Sequence, residues 1–172
     1  MPDTDRLHLR RPRPTDADAF AAINADPEVA RYVSPTGPLA RAESDLLLRK
    51  MIEHWDDHGL GLWMVQLRET GELAGFAGLA HPGTLPALAS EIEVGWRLGR
   101  AFWDRGLATE AGREAVRAGF EEHGARRLVC IVDRDNARSL RVAEKLGFAF
   151  WRAMDHPRWP RGVDVLELAR PA

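Results

Sequence analysis

The sequence contains few of the features that mark secreted or membrane proteins. Its one cysteine, Cys130, lies in the apolar run LVCIV, which favours a buried, reduced thiol over a disulfide. No apolar run approaches the roughly 18 residues of a membrane-spanning helix. The N-terminal MPDTDRLHLR also lacks the apolar segment of a signal peptide. These absences predict a cytoplasmic protein with no membrane partner.

An excess of charge of either sign is also absent. Lys and Arg total 24 against 26 Asp and Glu, and no long block of one sign occurs. Neither a nucleic-acid nor a membrane partner is therefore expected, and the balance of charge favours a small or local partner. A length of 172 residues predicts one domain spanning residues 1–172, which can bury about 70% of its unfolded surface.

Strand-like and helix-like patterns alternate along the chain and predict one α/β (α+β) domain. The first helix should begin with Thr15 as its N-cap and end at Asp26-Pro27. Further helices are expected at 41–58, after Gly106 and at 135–146. Strands are expected at 7–11, 60–68, 73–79, 91–98, 127–132, 148–152 and 163–168, and loops at 32–38, 81–86 and 155–162.

The stretch from Phe102 to Phe120 reads as a glycine turn at Gly106 followed directly by a helix with a narrow face of Ala and Gly. The first N–H groups of a helix have no partner inside it, and the macrodipole adds partial positive charge there. With Arg105 beside it, this turn predicts a phosphate or pyrophosphate site. Taken alone, the motif is more typical of an ordinary amphipathic helix after a glycine turn, and a nucleotide- or phosphate-binding domain is the weaker alternative.

Three blocks in fixed order, EVGWRL, WDRGLATEA and DNARSLRVAEKLGF, together resemble the GNAT superfamily of acyl-CoA-dependent N-acyltransferases. Within it the sequence is most similar to the Rim-type branch of ribosomal-protein N-terminal acetyltransferases. The resemblance runs from LHLRRPRPTDADAF to VDVLEL. It implies a central mixed, mostly antiparallel sheet of six or seven strands, with about four helices. One parallel pair, 91–98 and 127–132, should be splayed. A monomer or homodimer is expected.

The resemblance implies acetyl-CoA as cosubstrate and assigns residues to it. Backbone groups around Trp96 and Leu98 should hold the pantetheine arm, and N–H groups from Arg105 to Thr109 the pyrophosphate. Trp103 stands where many members of the wider superfamily have Gln or Arg. The implied cofactor-binding residues are Trp96, Leu98, Trp103, Arg105, Gly106, Leu107, Ala108, Thr109, Asn136 and Ser139.

Glu93 is the candidate general base, since a carboxylate can deprotonate an amine of pKa ~8 directly or through a water. Glu91, on the same face of the strand, is a second candidate or a receptor for substrate charge. A backbone N–H of Val94 or Gly95 should stabilise the oxyanion. Many family members carry a tyrosine acid where this chain has Ala143. The thiolate proton should therefore come from Ser139 or water, although Ser139 also suits a helix cap.

The acceptor is predicted to be a protein N-terminus or a small amine. Arg31 and Tyr32 on one side, and His156, Arg158 and Trp159 on the other, are candidate walls of its site.

His54 and His58 are spaced like metal ligands, but no third ligand is evident, so no metal is predicted. The missing tyrosine leaves a second function open, that of a catalytically degenerate module that binds acyl-CoA and regulates a partner.

Overall fold

Within residues 2–32, 34–157 and 159–170, which the computed structural model describes, seven strands form one mixed sheet flanked by five helices. The strands are β1 (Leu7–Arg10), β2 (Leu62–Leu67), β3 (Leu73–Ala80), β4 (Ile92–Leu98), β5 (Arg127–Asp133), β6 (Ala149–His156) and β7 (Trp159–Ala169). The helices are α1 (Ala17–Asn24), α2 (Pro27–Ala30), α3 (Arg41–His58), α4 (Leu107–Glu121) and α5 (Ala137–Lys145). The predicted fold class is confirmed, with one helix more than expected.

The sheet opens where its two parallel strands meet. The strand order is β1-β2-β3-β4-β5-β7-β6, and every neighbouring pair is antiparallel except β4 with β5. The parallel pairing covers only Ile92 with Leu128 and Glu93 with Val129. Beyond Glu93 the edge of β4 that faces β5 is unpaired, so the splay predicted by the resemblance is present.

Helix α4 packs closely on one face of the sheet because its inner side chains are small. Ala111, Ala115 and Ala118 are fully buried. A Cβ added at Gly112 would lie 2.6 Å from Leu146 Cδ1, so this site also requires a small residue. On the opposite face, Phe20 of α1 and residues of α3 pack on β2 and β3. The narrow Ala and Gly face predicted for α4 is therefore confirmed.

The start of the first helix differs from the prediction. A short 3-10 turn over Pro14–Asp16 precedes α1, and the N-cap of α1 is Asp16, not Thr15. The Asp16 carboxylate binds the guanidinium of Arg10, with Nη2 and Oδ1 2.6 Å apart, and accepts the N–H of Arg13. This buried ion pair fixes the connection between β1 and α1. The local helix-capping pattern of the sequence does not reveal it.

Helix α2 was not predicted, because Asp26-Pro27 was interpreted only as the end of the first helix. The Asp26 carboxylate accepts the N–H of Glu28 at 2.8 Å, and Pro27 occupies the first helical position. Proline is compatible with that position because the N–H it lacks would have no helical partner. The same dipeptide therefore ends α1 and begins α2.

The predicted loop at 155–162 is wrong. β6 continues to His156 and β7 begins at Trp159, so the two strands form a hairpin. β5 pairs with β7 only as far as Val163, which leaves residues 159–162 beyond its reach.

Candidate active site

Two adjoining cavities lie at the splay of the sheet. The first, here called the α4 cavity, has a volume of about 240 Å³ and is lined mainly by the N-terminus of α4, the end of β4 and α5. The second, the β4 cavity, has a volume of about 270 Å³ and lies over the odd-numbered face of β4. The cavities adjoin because both are lined by Tyr32, Trp96, Arg97, Asn136 and Ser139.

The N-terminus of α4 presents unpaired backbone donors to the α4 cavity. Gly106 is the N-cap, with a φ of +75° that favours glycine, and no side chain caps the helix. Within the described chain, the N–H groups of Leu107, Ala108 and Thr109 have no acceptor, and the first helical bond runs from Glu110 to Gly106. All four residues from 106 to 109 line the cavity, which is therefore suited to an anion.

Apart from Arg97 of β4, the cations around the α4 cavity come from α5. Arg138, Arg141 and Lys145 line it, whereas the guanidinium of Arg105 lies over the ring of Phe102, 5.8 Å from its centroid. The side chain of Arg105 thus does not line the cavity, and its contribution of charge remains a prediction. The spacing of three, four and seven residues among the α5 cations places them on one helix face. This spacing was the sequence signal that could have identified the three α5 cations as part of the site.

The open edge of β4 presents the backbone of alternate residues. The N–H of Gly99 donates to the carbonyl of Ala74 in β3 at 2.9 Å. Because backbone groups alternate in direction along a strand, the odd-numbered residues of β4 bond β3 and the even-numbered ones face the splay. Trp96 and Leu98 therefore present their backbone to it, as predicted. So does Val94, whereas Gly95 faces β3.

Trp103 contacts this edge through its side chain. Its indole Nε1 donates to the carbonyl of Leu98 at 2.8 Å, so one lone pair of that carbonyl is already occupied. The guanidinium of Arg138 lies 5.0 Å from the centroid of the Trp103 ring. Trp103 therefore fixes the turn between β4 and α4 and forms part of the α4 cavity wall.

Glu93 lines the β4 cavity at the point where β4 leaves β5. No hydrogen bond or ion pair involves its carboxylate within the described chain, and burial raises its pKa to about 7. A carboxyl group with that pKa is suited to accept a proton near neutral pH. Glu91 differs, since it forms an ion pair with Arg127 and does not line either cavity.

Ser139 and Asn136 lie at the junction of the cavities. Asn136 is the N-cap of α5, and its Oδ1 accepts the N–H of Ser139 at 3.1 Å. The hydroxyl of Ser139 is thus not needed as the helix cap. Ala143 is fully buried in the core. Tyr32, the single tyrosine of the chain, lines both cavities together with Ser139.

The β6–β7 hairpin forms one wall of the β4 cavity. His156 and Trp159 both line it, with ring centroids 4.1 Å apart, and His156 Nε2 lies 3.1 Å from Thr84 Oγ1. Tyr32 lines the same cavity from an early part of the chain. The Arg31 guanidinium lies over the Tyr32 ring, but Arg31 itself does not line either cavity. Arg158, the third residue predicted for this wall, lies outside the described residues.

A cluster of histidines lies away from both cavities. The ring centroid of His81 lies 5.1 Å from that of His58 and 5.8 Å from that of His54. Sequence spacing did not reveal His81 as a neighbour of the other two. Across the described residues, no three or more His, Cys, Asp or Glu side chains are arranged to hold a metal ion. In the same part of the chain, every helix is too short or too polar to cross a membrane.

Residues 6–149 match the family model described as "Acetyltransferase (GNAT) domain". The chain belongs to the GNAT acetyltransferase family. The GNAT match includes β4, the α4 turn and α5, which form most of the α4 cavity, and it ends where the β6–β7 hairpin begins.

Individual GNAT proteins and related chains resemble this one along most of its length. It is 28% identical over 165 residues to the uncharacterized protein YkkB of Bacillus subtilis (strain 168), covering 95% of this chain and 92% of YkkB. The crystal structure of an acetyltransferase from Agrobacterium tumefaciens superimposes with a TM-score of 0.84 at 29% identity, over 99% and 95% of the two chains.

A further solved structure shares the fold at lower identity. RimL, described as a ribosomal L7/L12 alpha-N-protein acetyltransferase, was solved in complex with coenzyme A. It superimposes with a TM-score of 0.77 at 15% identity, over 98% of this chain and 96% of RimL.

Proposed function

We propose that this protein is an acetyl-CoA-dependent N-acetyltransferase that transfers an acetyl group directly to a primary amine within a ternary complex. The observation that carries the proposal is the unpaired Glu93 carboxylate, with a pKa raised to about 7, in a cavity that adjoins an anion-binding helix terminus. The acceptor is a protein N-terminus or a small amine.

The residues that would hold acetyl-CoA fit its chemistry. The unpaired N–H groups of Leu107, Ala108 and Thr109 suit a pyrophosphate, and the open backbone of Trp96 and Leu98 suits the amides of pantetheine. RimL, which shares this fold, was solved with coenzyme A. When bound, acetyl-CoA supplies the acetyl group as a thioester.

Glu93 would accept the proton of the acceptor amine. A free N-terminal amine has a pKa of ~8, so a carboxyl group with a pKa of about 7 is well matched to it. The N–H of Val94 points into the splay and would donate to the oxygen of the reacting carbonyl. The hydroxyl of Ser139, at the junction of the cavities, would deliver the proton that the departing thiolate requires.

Ala143 supports a second function. The position where many relatives carry a tyrosine acid is buried in the core and does not reach either cavity. A protein that binds acyl-CoA without turnover and regulates a partner would share every feature of the α4 cavity. The two functions differ only in whether the protein catalyses acetyl transfer from the bound acyl-CoA.

The experiment that tests the proposal follows the release of free thiol from acetyl-CoA in the presence of small amines and N-terminal peptides. We expect turnover by the native protein and a loss of about 10²–10⁴-fold in kcat for Glu93→Gln, which keeps the shape of the side chain but removes the base.

Glu91→Gln is the matched control, because it removes a carboxylate two residues away that lies outside both cavities. CoA should raise the melting temperature of all three proteins equally. Stabilisation by CoA without turnover of any amine would favour the regulatory module instead. Full activity of Glu93→Gln would reject Glu93 as the base.

A further inference from the structure

Arg97 carries a positive charge at the junction of the two cavities without a carboxylate partner. Its Nη1 donates to Asn24 Oδ1 at 2.8 Å, and its guanidinium lies 5.1 Å from the centroid of the Phe76 ring. Its Nε is sealed from solvent and has no acceptor, and among the described residues no acidic side chain forms an ion pair with it. A guanidinium has five N–H donors, so several remain available to a ligand.

The protein fixes this guanidinium in place without neutralising it. Asn24 is almost completely buried, and its Nδ2 donates to Ser44 Oγ at 2.9 Å. That bond orients the amide so that its oxygen faces Arg97. A neutral amide positions the guanidinium but leaves its charge uncompensated. A guanidinium that is partly buried beside two cavities and has no carboxylate partner is suited to bind an anion.

Arg97 and Glu93 lie on the same face of β4, four residues apart, so their Cα atoms are separated by roughly 13 Å. Burial alone raises the pKa of Glu93 to about 7 and lowers that of Arg97 to about 10. Neither group relieves the charge of the other. Asp133, another carboxylate of the β4 cavity, accepts the N–H of Asp135 instead.

We propose that the acceptor carries a carboxylate as well as an amine, and that Arg97 binds this carboxylate while Glu93 faces the amine. The inference rests on the proposed acetyl transfer. The separation of the two side chains suits acceptors in which the two groups are several bonds apart, such as short peptides with a free C-terminus. The planar fork of arginine matches both oxygens of a carboxylate.

The test compares tri-alanine as the free acid with the same peptide as the C-terminal amide, at saturating acetyl-CoA. The two acceptors share the amine, the length and the side chains, and differ in the terminal charge. We expect the native protein to prefer the free acid by about tenfold or more in kcat/KM. Arg97→Gln should reduce that ratio to near one, and Arg97→Lys should retain part of it.

Arg141→Gln is the matched control, because it removes a cation that lines only the α4 cavity. It should leave the ratio of acid to amide unchanged. If Arg97 served only to hold Asn24 and α1, Arg97→Gln would slow both peptides equally and preserve the ratio, which would overturn the inference. The inference would also be overturned if the native protein used the acid and the amide equally, or if it acetylated only amines that lack a carboxylate.

Failure of acetyl transfer itself would look different, since no amine of any kind would then be acetylated. Binding of the tri-alanine acid in the presence of CoA, measured by calorimetry, still tests the inference in that case. Native protein should bind the acid more tightly than the amide, and Arg97→Gln should bind the two alike. Equal binding by the native protein would reject the carboxylate site.

Discussion

Glu93 combines a functional advantage with a cost in stability, because burial without a partner disfavours its ionised form. The pKa of its carboxyl group is raised from 4.5 to about 7 in the folded protein. Between those two pH values the folded state binds more protons than the unfolded state, so the free energy of unfolding falls as pH rises. At pH 8 the full cost is present, roughly 3 kcal/mol at 1.36 kcal/mol per pKa unit.

Glu93→Gln is therefore expected to be more stable than the native protein at pH 8, by on the order of 2–3 kcal/mol, and nearly equal to it at pH 5. Urea unfolding followed by circular dichroism at both pH values measures the difference. Glu91→Gln, which breaks an ion pair with Arg127, should not stabilise the protein at either pH. A Glu93→Gln effect of the same size at pH 5 and pH 8 would show that ionisation is not its cause.

Ser139 is the second residue with a proposed chemical role, and its hydroxyl is not needed to cap the helix in which it lies. Because Asn136 provides the cap of α5, the Ser139 hydroxyl is available to the cavities. We expect Ser139→Ala to lower kcat by about tenfold or more while changing the free energy of unfolding by less than about 0.5 kcal/mol. Steady-state rates and urea unfolding on the same preparations measure the two effects.

Tyr32→Phe is the comparison for Ser139→Ala, since both hydroxyls belong to residues that line the two cavities. A smaller loss of kcat is expected for Tyr32→Phe. If Tyr32→Phe proved the more damaging variant, the single tyrosine of the chain would replace Ser139 as the proton donor, although it comes from a different part of the fold than the position of Ala143.

At the scale of elements, two helices divide the binding of an anionic cosubstrate. α4 contributes neutral N–H donors and a helix dipole at its first turn, whereas α5 contributes the full charges of Arg138, Arg141 and Lys145. Backbone N–H donors fix the position of a bound phosphate because they cannot change rotamer. Long cationic side chains add electrostatic attraction to the phosphate, which salt can screen.

Replacing both Arg141 and Lys145 by Gln should therefore weaken CoA binding by about tenfold at low ionic strength, and by less at 0.5 M salt. Calorimetric titration with CoA at two salt concentrations measures this. The variant Arg105→Gln/Arg113→Gln removes two positive charges from side chains outside the cavity lining and serves as the matched control. Equal weakening by the two double variants would indicate a general field effect instead of contacts from α5.

At the scale of the whole molecule, the sheet determines how the two cavities meet. β4 pairs with β3 from Glu93 to Leu98 but with β5 only at its beginning, so its other edge opens toward the α4 cavity. The side chains of Glu93 and Arg97 then project from the same strand into the β4 cavity. A single strand thus presents its backbone to one proposed substrate and its side chains to the other.

The sequence by itself determined the features that depend on neighbours along the chain. The alternation in EIEVGWRL predicted β4 and placed Glu91, Glu93 and Arg97 on one face, and the glycine turn with its small residues predicted the start and inner face of α4. Both depend on short-range geometry, the period of a strand and the first turn of a helix, which a few consecutive residues fix.

Only the tertiary structure decided which charges remain unpaired. Glu91 and Glu93 are equivalent by pattern, yet the first meets Arg127 of β5 and the second meets no described partner. Arg97 likewise meets an amide of α1 that is distant in sequence. Residues 155–156 and 159–162, predicted as loop, are strand because β6 and β7 pair with each other. Ion pairing, burial and strand pairing depend on residues distant in sequence, so local patterns do not contain them.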